Sequence, residues 1–321
     1  MQRRNIPVKE YKAIMATIHV LHENHEWYAP LAAALDFAKL PHVSWYMGEG
    51  CLDFGQAPPK GIFFSRMSAS AHTRGHVHAP DYTAAVLAWL ERHKRRVING
   101  SNALRLEMSK AAQYQLLESF GFTTPRTIVT HGLHKALEAA RLFDGPFITK
   151  HNRSGKGLGV HLFHSAQALE QHLNSEEFAD PVDGLLLLQE YIQSPAPFIT
   201  RLEFIGGRFL YALRVDTSGG FELCPADSCA IGEQCALTPT AKFAITDEEQ
   251  PDAPRYEAML KAAGVEVAGI EYIRDRRGRV YTYDLNVNTN YNTEAEQKAG
   301  KSAFAALCGF LAGELKNIGP A

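Results

Sequence analysis

The chain of 321 residues is short of cysteine, of net charge and of long apolar runs, and each shortage removes a class of protein. Five cysteines is a small and odd number, which argues against a secreted disulfide framework and for reduced thiols. Lys+Arg 33 against Asp+Glu 35 leaves a net charge of -2, so no global positive field gathers phosphate backbones or anionic lipid. Neither nucleic acid nor a membrane is expected as a partner. Apolar runs such as Leu185 to Leu188 fall far short of the roughly 20 residues that cross a bilayer. The start, MQRRNIPVKEYK, has no apolar core for a signal peptide, and the chain is expected to be cytoplasmic. Internal repeats and low-complexity segments are also missing. What is present, 45% hydrophobic and 10% aromatic residues, suffices for a sizeable core over about two domains.

The first hundred residues alternate between two periods. Ala16 to Leu21, Val43 to Tyr46 and Gly61 to Phe64 read as strands, Leu31 to Leu40 as a helix closed by Pro41, and Asp81 to Lys94 as a helix with Val86, Trp89 and Leu90 on one face. Such alternation predicts a parallel α/β sheet. After Arg96 to Ile98 and the turn signal Asn99-Gly100, Met108, Ala112, Leu116 and Phe120 recur every fourth residue, predicting a helix that contains Lys110 and ends at Gly121. Strands are expected at Thr127 to Thr130, Phe147 to Lys150, Val160 to Phe163 and Leu185 to Gln189, with a helix at Leu133 to Phe143. A hairpin folds Phe198 to Ile205 back on Arg208 to Val215 through Gly206-Gly207. A helix near Pro254 to Ala263, a strand pair at Val267 to Ile273 and Val280 to Leu285, and one last helix from about Glu294 to Leu315 complete the pattern.

Three phosphate signatures compete. Ala295 to Ser302 nearly fits a P-loop, but it is built of helix formers and does not leave a strand, so it reads as ordinary helix. Gly155-x-Gly157-x-Gly159 lacks the dinucleotide-binding spacing and opens no helix. The same glycines between two antiparallel strands form a flap whose N–H groups can close over a triphosphate, with Lys150 at the preceding strand end as a point charge. A plain surface hairpin is the alternative. Glu271 in AGIEYI, and Asp284 with Asn286 in YTYDLNVN, fall on what read as paired strands; Asp284 and Asn286, two apart, share a face. Oxygen donors in that pattern suit Mg²⁺, which takes one or two carboxylates and leaves room for substrate phosphates.

The ordered set of Lys110, FITK ending in Lys150, the flap SGKGLG, LLLLQEYI, Arg201 and Arg214 on a hairpin, GIEYI and YDLNVN resembles an ATP-grasp enzyme, and more narrowly the RimK-like, glutamate-ligase-type branch. FFSRM and RVINGSNAL, leading to LLESFGFTTPRTIV, extend the likeness over about residues 61–315. The resemblance implies an α/β fold of ATP-grasp type: an N-terminal Rossmann-like pre-ATP-grasp domain over 1–105, a lid subdomain over 106–190 and a C-terminal subdomain with the metal site over 191–321. It implies that Lys110 and Lys150 contact ATP phosphates, with Ser154, Gly155 and Gly157 in the flap. Gln189, Glu190, Tyr191 and Ile192 would receive adenine, and Glu271, Asp284 and Asn286 would hold Mg²⁺ or Mn²⁺. Arg201 and Arg214 would act near the transferred phosphate or acyl group. The sequence departs from the family pattern in three places. Ile199-Thr200-Arg201 replaces a common Asp-x-Arg and leaves the ribose contact unassigned; Glu271 stands where Asp is usual; Asp284-x-Asn286 stands where Glu-x-Asn is commoner.

The implied reaction is ATP-dependent ligation of a carboxylate to an amine through an acyl phosphate, with a small-molecule or peptide acid and amine as partners. A regulatory ATP-binding protein and a small-molecule kinase stay open as alternatives, as does a homo-oligomer. For the acceptor side, His22 and Glu23 follow the first strand, where open α/β sheets place ligands, though HENHEW serves equally to cap the next helix. Arg66, His72 and Arg74 are candidates for a carboxylate, and Asn288 and Asn290 for the amide-forming site. His72, His76 and His78 read as a polar loop rather than a metal site. Cys224, Cys229 and Cys235 have the wrong spacing for a zinc ribbon and read as thiols of a substrate loop.

Overall fold

A computed structural model describes residues 16–155, 157, 159–218 and 242–318. Cys224, Cys229 and Cys235 lie outside these described residues. The chain begins with strand β1 (Thr17–His22), helix α1 (His25–Phe37), β2 (His42–Tyr46), β3 (Gly61–Ser65), α2 (Ala79–Arg92) and β4 (Arg96–Ile98). The four strands form a parallel sheet in the order β2-β1-β3-β4. The order reverses between β1 and β3, so the C-terminal ends of these two strands, at His22 and Ser65, open the crevice where such sheets take ligands. Asn24 caps α1 by accepting the N–H of Trp27, which accounts for part of HENHEW.

Helices α3 (Ser101–Glu107) and α4 (Lys110–Ser119) replace the single helix expected around Met108, and Lys110 is the first residue of α4 instead of an interior one. Ser109 ends the first helix and caps the second, its hydroxyl accepting the N–H of Ala112. A second sheet is built from β5 (Thr127–His131), α5 (Leu133–Ala140), β6 (Phe147–His151), β7 (His161–Phe163), α6 (Ala166–Leu173) and β8 (Leu185–Glu190), antiparallel in the order β5-β8-β6-β7. The four-leucine run is the central strand β8, apolar on both sides: Leu186 and Leu188 pack under α5 and α6, and Leu187 packs toward the third sheet.

That sheet contains β9 (Phe198–Ile205), β10 (Arg208–Asp216), β11 (Phe243–Thr246), β12 (Val267–Arg274) and β13 (Val280–Asn286) in the antiparallel order β11-β10-β9-β12-β13. Helix α7 (Ala253–Ala263) covers one face with α3 and α4. The expected last helix is two, α8 (Thr293–Lys298) and α9 (Ala303–Asn317). Gly300 at φ 63 breaks the run, since a side chain there would meet the left-handed penalty, and Ser302 caps α9. The P-loop-like stretch Ala295 to Ser302 is thus a helix end and a turn, and the amides of Ala299, Gly300 and Lys301 are bonded to helix carbonyls and not free for phosphate.

Helix α9 seats Leu307 and Leu311, both buried, in one apolar cluster with Ile18, Val20 and Ile62 of the first sheet and Ile205, Leu213 and Val267 of the third. Truncating either leucine to alanine would cost about 2–5 kcal/mol. Two polar seams fix the same junction. Arg96 pairs with Glu266 and Glu314. Buried Asn99 donates to the carbonyls of Val267 and Val287 and accepts from the N–H groups of Glu266 and Val267. The turn signal at Asn99 is therefore also a joint, using asparagine's tolerance of its φ of 54. Among the described residues no helix is long and apolar enough to cross a membrane.

Candidate active site

A cleft of about 520 Å³ lies between the second and third sheets. Register builds its floor: Glu271 on β12 is paired with Arg201 on β9 and with Asp284 on β13, so three charged side chains form one row across neighbouring strands. A slip of one residue would turn each of them to the opposite face. The register of β12 and β13 does shift between Glu271 and Tyr272, which leaves Tyr283 as an extra residue on β13. Tyr283 therefore lines the cleft beside Asp284, a place strict alternation denies it.

Arg201 is buried in this row. Its Nε donates to Glu203 Oε1 at 2.6 Å, Nη1 to Glu271 Oε1 at 2.9 Å and Nη2 to Thr289 Oγ1 at 2.6 Å, while the Thr289 hydroxyl donates to Glu203 Oε2 at 2.8 Å. The guanidinium lies across Gly269, where a Cβ would come within 2.6 Å of Nη2. Lys110 ion-pairs with Asp284 from the start of α4. Tyr283 donates to Glu271 Oε2 at 3.1 Å, and the Asn286 amide stands 3.1 Å from Asp284 Oδ2 and 3.5 Å from Glu271 Oε1.

Burial pushes Glu271 above the ordinary glutamate range, with Arg201 opposing. Burial acts the same way on Asp284, but Lys110 and Lys150 outweigh it and hold the carboxyl below its usual range. Lys110 is held above the usual lysine range because Asp284 outweighs the cost of burying its charge. Lys150 differs: burial and then the charge of Lys110 push it down to about 8. Among the described residues no carboxylate lies within ion-pair distance of its Nζ, which sits 4.7 Å over the Tyr283 ring. The Lys150 ammonium thus faces the cleft with an aromatic face in place of an anion.

After β6 the described residues of the glycine flap reach the cleft. Ser154, Gly155 and Gly157 line the cleft, and Gly157 and Gly159 have φ of 76 and 72, which a side chain would strain. The wall at the end of β8 consists of Gln189, Glu190, Tyr191 and Ile192. The Gln189 amide is engaged by Thr127 Oγ1 at 2.8 Å, and Glu190 accepts the N–H of Arg126 at 2.8 Å. All the residues expected at phosphate, adenine and metal positions, together with Arg201, therefore border one cavity.

Arg214 does not. It pairs in register with Thr200, the neighbour of Arg201, and so stands on the opposite face of the sheet, exposed, ion-paired to Glu248 at 3.2 Å and stacked on Phe198. The expectation that it lies near a transferred group is corrected by that register.

A recess of about 50 Å³ adjoins the cleft and is bordered by Trp27, Ser68 to Ser70, Glu107, Asn288 and Asn290. Of the expected acceptor residues, Asn288 and Asn290 border it; His22, Glu23, Arg66, His72 and Arg74 do not, and are engaged by the protein's own groups. Arg66 is buried and donates to Trp27 O, Asn288 Oδ1, Thr289 O and Asn290 Oδ1 at 3.0–3.2 Å, so it holds the loop after β13 rather than presenting a free fork to a carboxylate. Arg74 pairs with buried Glu23, which His76 also contacts at 2.9 Å, and stacks on Trp27. His22 bonds Ser44 Oγ at 2.7 Å, and burial and His25 lower its pKa to about 4, which keeps it neutral at neutral pH. His72 donates to Ala69 O within a short 3-10 turn, Ala71–Arg74.

Sequence reasoning passes over Tyr283, Glu203, Glu107 and the connector from Gln193 to Pro197, which completes the cleft wall. Glu203 has a signal in the sequence, since it lies two residues beyond Arg201 on one strand and shares its face. Glu107 has none: its carboxylate accepts from the N–H groups of Ala69, Val287 and Asn288, all distant in the chain.

No family model matches the chain. A curated protein of Aeromonas salmonicida (strain A449), a probable alpha-L-glutamate ligase, is 26% identical over 237 residues, 73% of this chain and 73% of that protein. Among solved structures, a RimK domain ATP-grasp protein from Sphaerobacter thermophilus DSM 20745 superposes with a TM-score of 0.62 at 16% identity, covering 92% of this chain and all of the other. D-alanine–D-alanine ligase from Bacillus anthracis, determined in complex with ATP, superposes with a TM-score of 0.63 at 14% identity, covering 94% of this chain and 98% of the other. The chain thus shares the fold of these ATP-grasp structures and is similar in sequence to probable alpha-L-glutamate ligases.

Proposed function

We propose that the protein is an ATP-dependent carboxylate-amine ligase that works through an acyl phosphate and releases ADP and phosphate. The observation that supports it most is the row Arg201, Glu271 and Asp284 facing Lys110 and Lys150 in one cavity beneath a glycine flap. Lys110 and Lys150 bind the phosphates, the stretch Gln189 to Ile192 takes adenine, and the flap of Ser154, Gly155 and Gly157 covers the triphosphate. Glu271, Asp284 and the Asn286 amide offer only hard oxygen donors, two of them carboxylates, a set that fits Mg²⁺ or Mn²⁺ with room left for phosphate oxygens. The ion, when bound, supplies charge neutralisation at the phosphates.

In the first step an oxygen of the substrate carboxylate attacks the γ-phosphorus and the bond to the β-phosphate oxygen breaks, giving an acyl phosphate and ADP. The protein's part is to position the reactants and stabilise charge, and the two lysines do this with donors already aimed into a cavity. In the second step an amine nitrogen attacks the acyl carbon and phosphate leaves, taking the amine proton. Closure of the flap keeps water from the intermediate. Arg201, with each nitrogen bound to a carboxylate or to Thr289, orients Glu271 and adds positive charge at the cleft floor.

The recess bordered by Trp27, Asn288 and Asn290 is the proposed entry for the acid and amine, which are small molecules or peptides. The division into a pre-ATP-grasp domain 1–105, a lid 106–190 and a metal-bearing subdomain 191–321 goes with this reading, as does a cytoplasmic setting where ATP is available. Incubation with ATP, Mg²⁺ and a pool of amino acids and small peptides should yield ADP, phosphate and a new amide detectable by mass spectrometry. AMP with pyrophosphate would contradict it. Hydroxylamine should trap a hydroxamate; ADP formation without trapping would indicate a kinase, and ATP binding without turnover a regulatory protein.

A further inference from the structure

Asn152 lies at the root of the glycine flap, two residues beyond Lys150, and is 3% exposed. Its backbone carbonyl accepts the N–H of Lys110 at 3.1 Å. Its Oδ1 accepts the N–H of Ala111 at 2.9 Å and the Ser109 hydroxyl at 3.2 Å, while Nδ2 donates to Asp183 Oδ2 at 2.7 Å. Its own N–H donates to Leu185 O at 3.2 Å. The first N–H groups of a helix have no partner within it. Two of those of α4 are satisfied by this one residue, which follows β6.

That arrangement ties together two elements far apart in sequence. Lys110 opens α4 and Lys150 sits near the end of β6; Asn152 bonds the backbone of the first at the terminus of the second. The orientation of its amide is unambiguous, since one end meets two donors and the other a carboxylate. Beyond it, after Arg153, the chain enters the flap at Ser154 and Gly155.

We infer that Asn152 is a positioning residue for the nucleotide phosphates, locking the start of α4 to the end of β6 so that Lys110 and Lys150 converge on one side of the cleft, with Asp183 setting the amide's orientation. The inference rests on the ATP-binding reading above and adds to it a residue that touches no nucleotide itself. A misplacement of about 1 Å in a positioned group costs up to about 100-fold in function, and the loss should fall on phosphate recognition and spare adenine recognition.

The test is calorimetric binding of MgATP and of adenosine to the full chain. Asn152→Ala should weaken MgATP about tenfold or more while adenosine binds as to the wild type. Asn152→Asp should do the same, because it sets a carboxylate against Asp183. Combining Asn152→Asp with Asp183→Asn restores an acceptor for α4 and a donor to it, and should return MgATP affinity to near the wild-type value. Wild-type MgATP affinity in Asn152→Ala would overturn the inference alone. So would an equal loss for adenosine, or a double variant that regains thermal stability without regaining MgATP affinity. Wild-type protein that binds no MgATP would overturn the nucleotide reading itself, and this inference with it.

Discussion

Lys150→Met should make the protein more stable and less able to bind ATP. Lys150 is 7% exposed, and its pKa falls from the ordinary lysine value of 10.5 to about 8. At 1.36 kcal/mol for each tenfold change in proton affinity, keeping that ammonium charged inside the fold costs about 3 kcal/mol. Because the folded pKa is the lower one, the cost is fully present below about pH 8 and disappears as the pH rises toward 10.5. Methionine keeps the unbranched stem and removes the charge, so at pH 7 the variant should gain up to about 3 kcal/mol in unfolding free energy. The gain should shrink as the pH rises from 8 toward 10.5. ATP should bind about 10- to 100-fold more weakly, the worth of one charge-assisted hydrogen bond. Urea unfolding at pH 7 and 9.5, with MgATP calorimetry at pH 7, reads both. A variant less stable than wild type at pH 7, or one that binds MgATP unchanged, would refute the reasoning that links burial of this charge to phosphate capture.

Asp284→Asn should leave the fold intact and abolish ADP formation, since it removes one carboxylate of the proposed metal set and the partner of Lys110; near-normal ADP release would count against that assignment. Tyr283→Phe keeps the ring beneath Lys150 but loses the hydrogen bond to Glu271. It should raise the Mg²⁺ concentration needed for turnover more than it weakens ATP binding measured without Mg²⁺, and a uniform loss in both titrations would refute that. Arg66→Lys replaces a planar group that makes four hydrogen bonds with a point charge that makes at most three, and should destabilise by about 2–3 kcal/mol in urea unfolding. Gly300→Ala should cost about 1–2 kcal/mol, because φ is 63 and no neighbour crowds the site; an unchanged midpoint would show that the helix break tolerates a Cβ.

Local pattern makes much of this molecule legible from its residues alone. The alternation of β1 to β4 with helices, the four-leucine strand β8, the hairpin of β9 and β10, and the glycine flap after Lys150 all depend on residues within a few positions of one another. The pairing of Asp284 with Asn286 is likewise a consequence of the two-residue strand period. Where short-range signals mislead, a single residue is responsible: Ser109 divides α3 from α4, and Gly300 divides α8 from α9, although apolar periodicity runs through both breaks.

The kind and order of the elements, and which chemistry-bearing side chains share a strand face, are thus written in the chain's local pattern. Which charges meet is settled only in the folded core. Lys110 finds Asp284 across 174 positions, Arg66 is consumed by the loop after β13 across more than 220, and Arg214 is turned away from Arg201's face by the register of two strands. The bulge that brings Tyr283 into the cleft, and the reach of Asn152 to the start of α4, belong to the same class. The physical reason is range. Periodicity and capping are set by neighbours along the chain, whereas the partner of a buried charge is set by strand register and by the packing of sheets that only folding brings together.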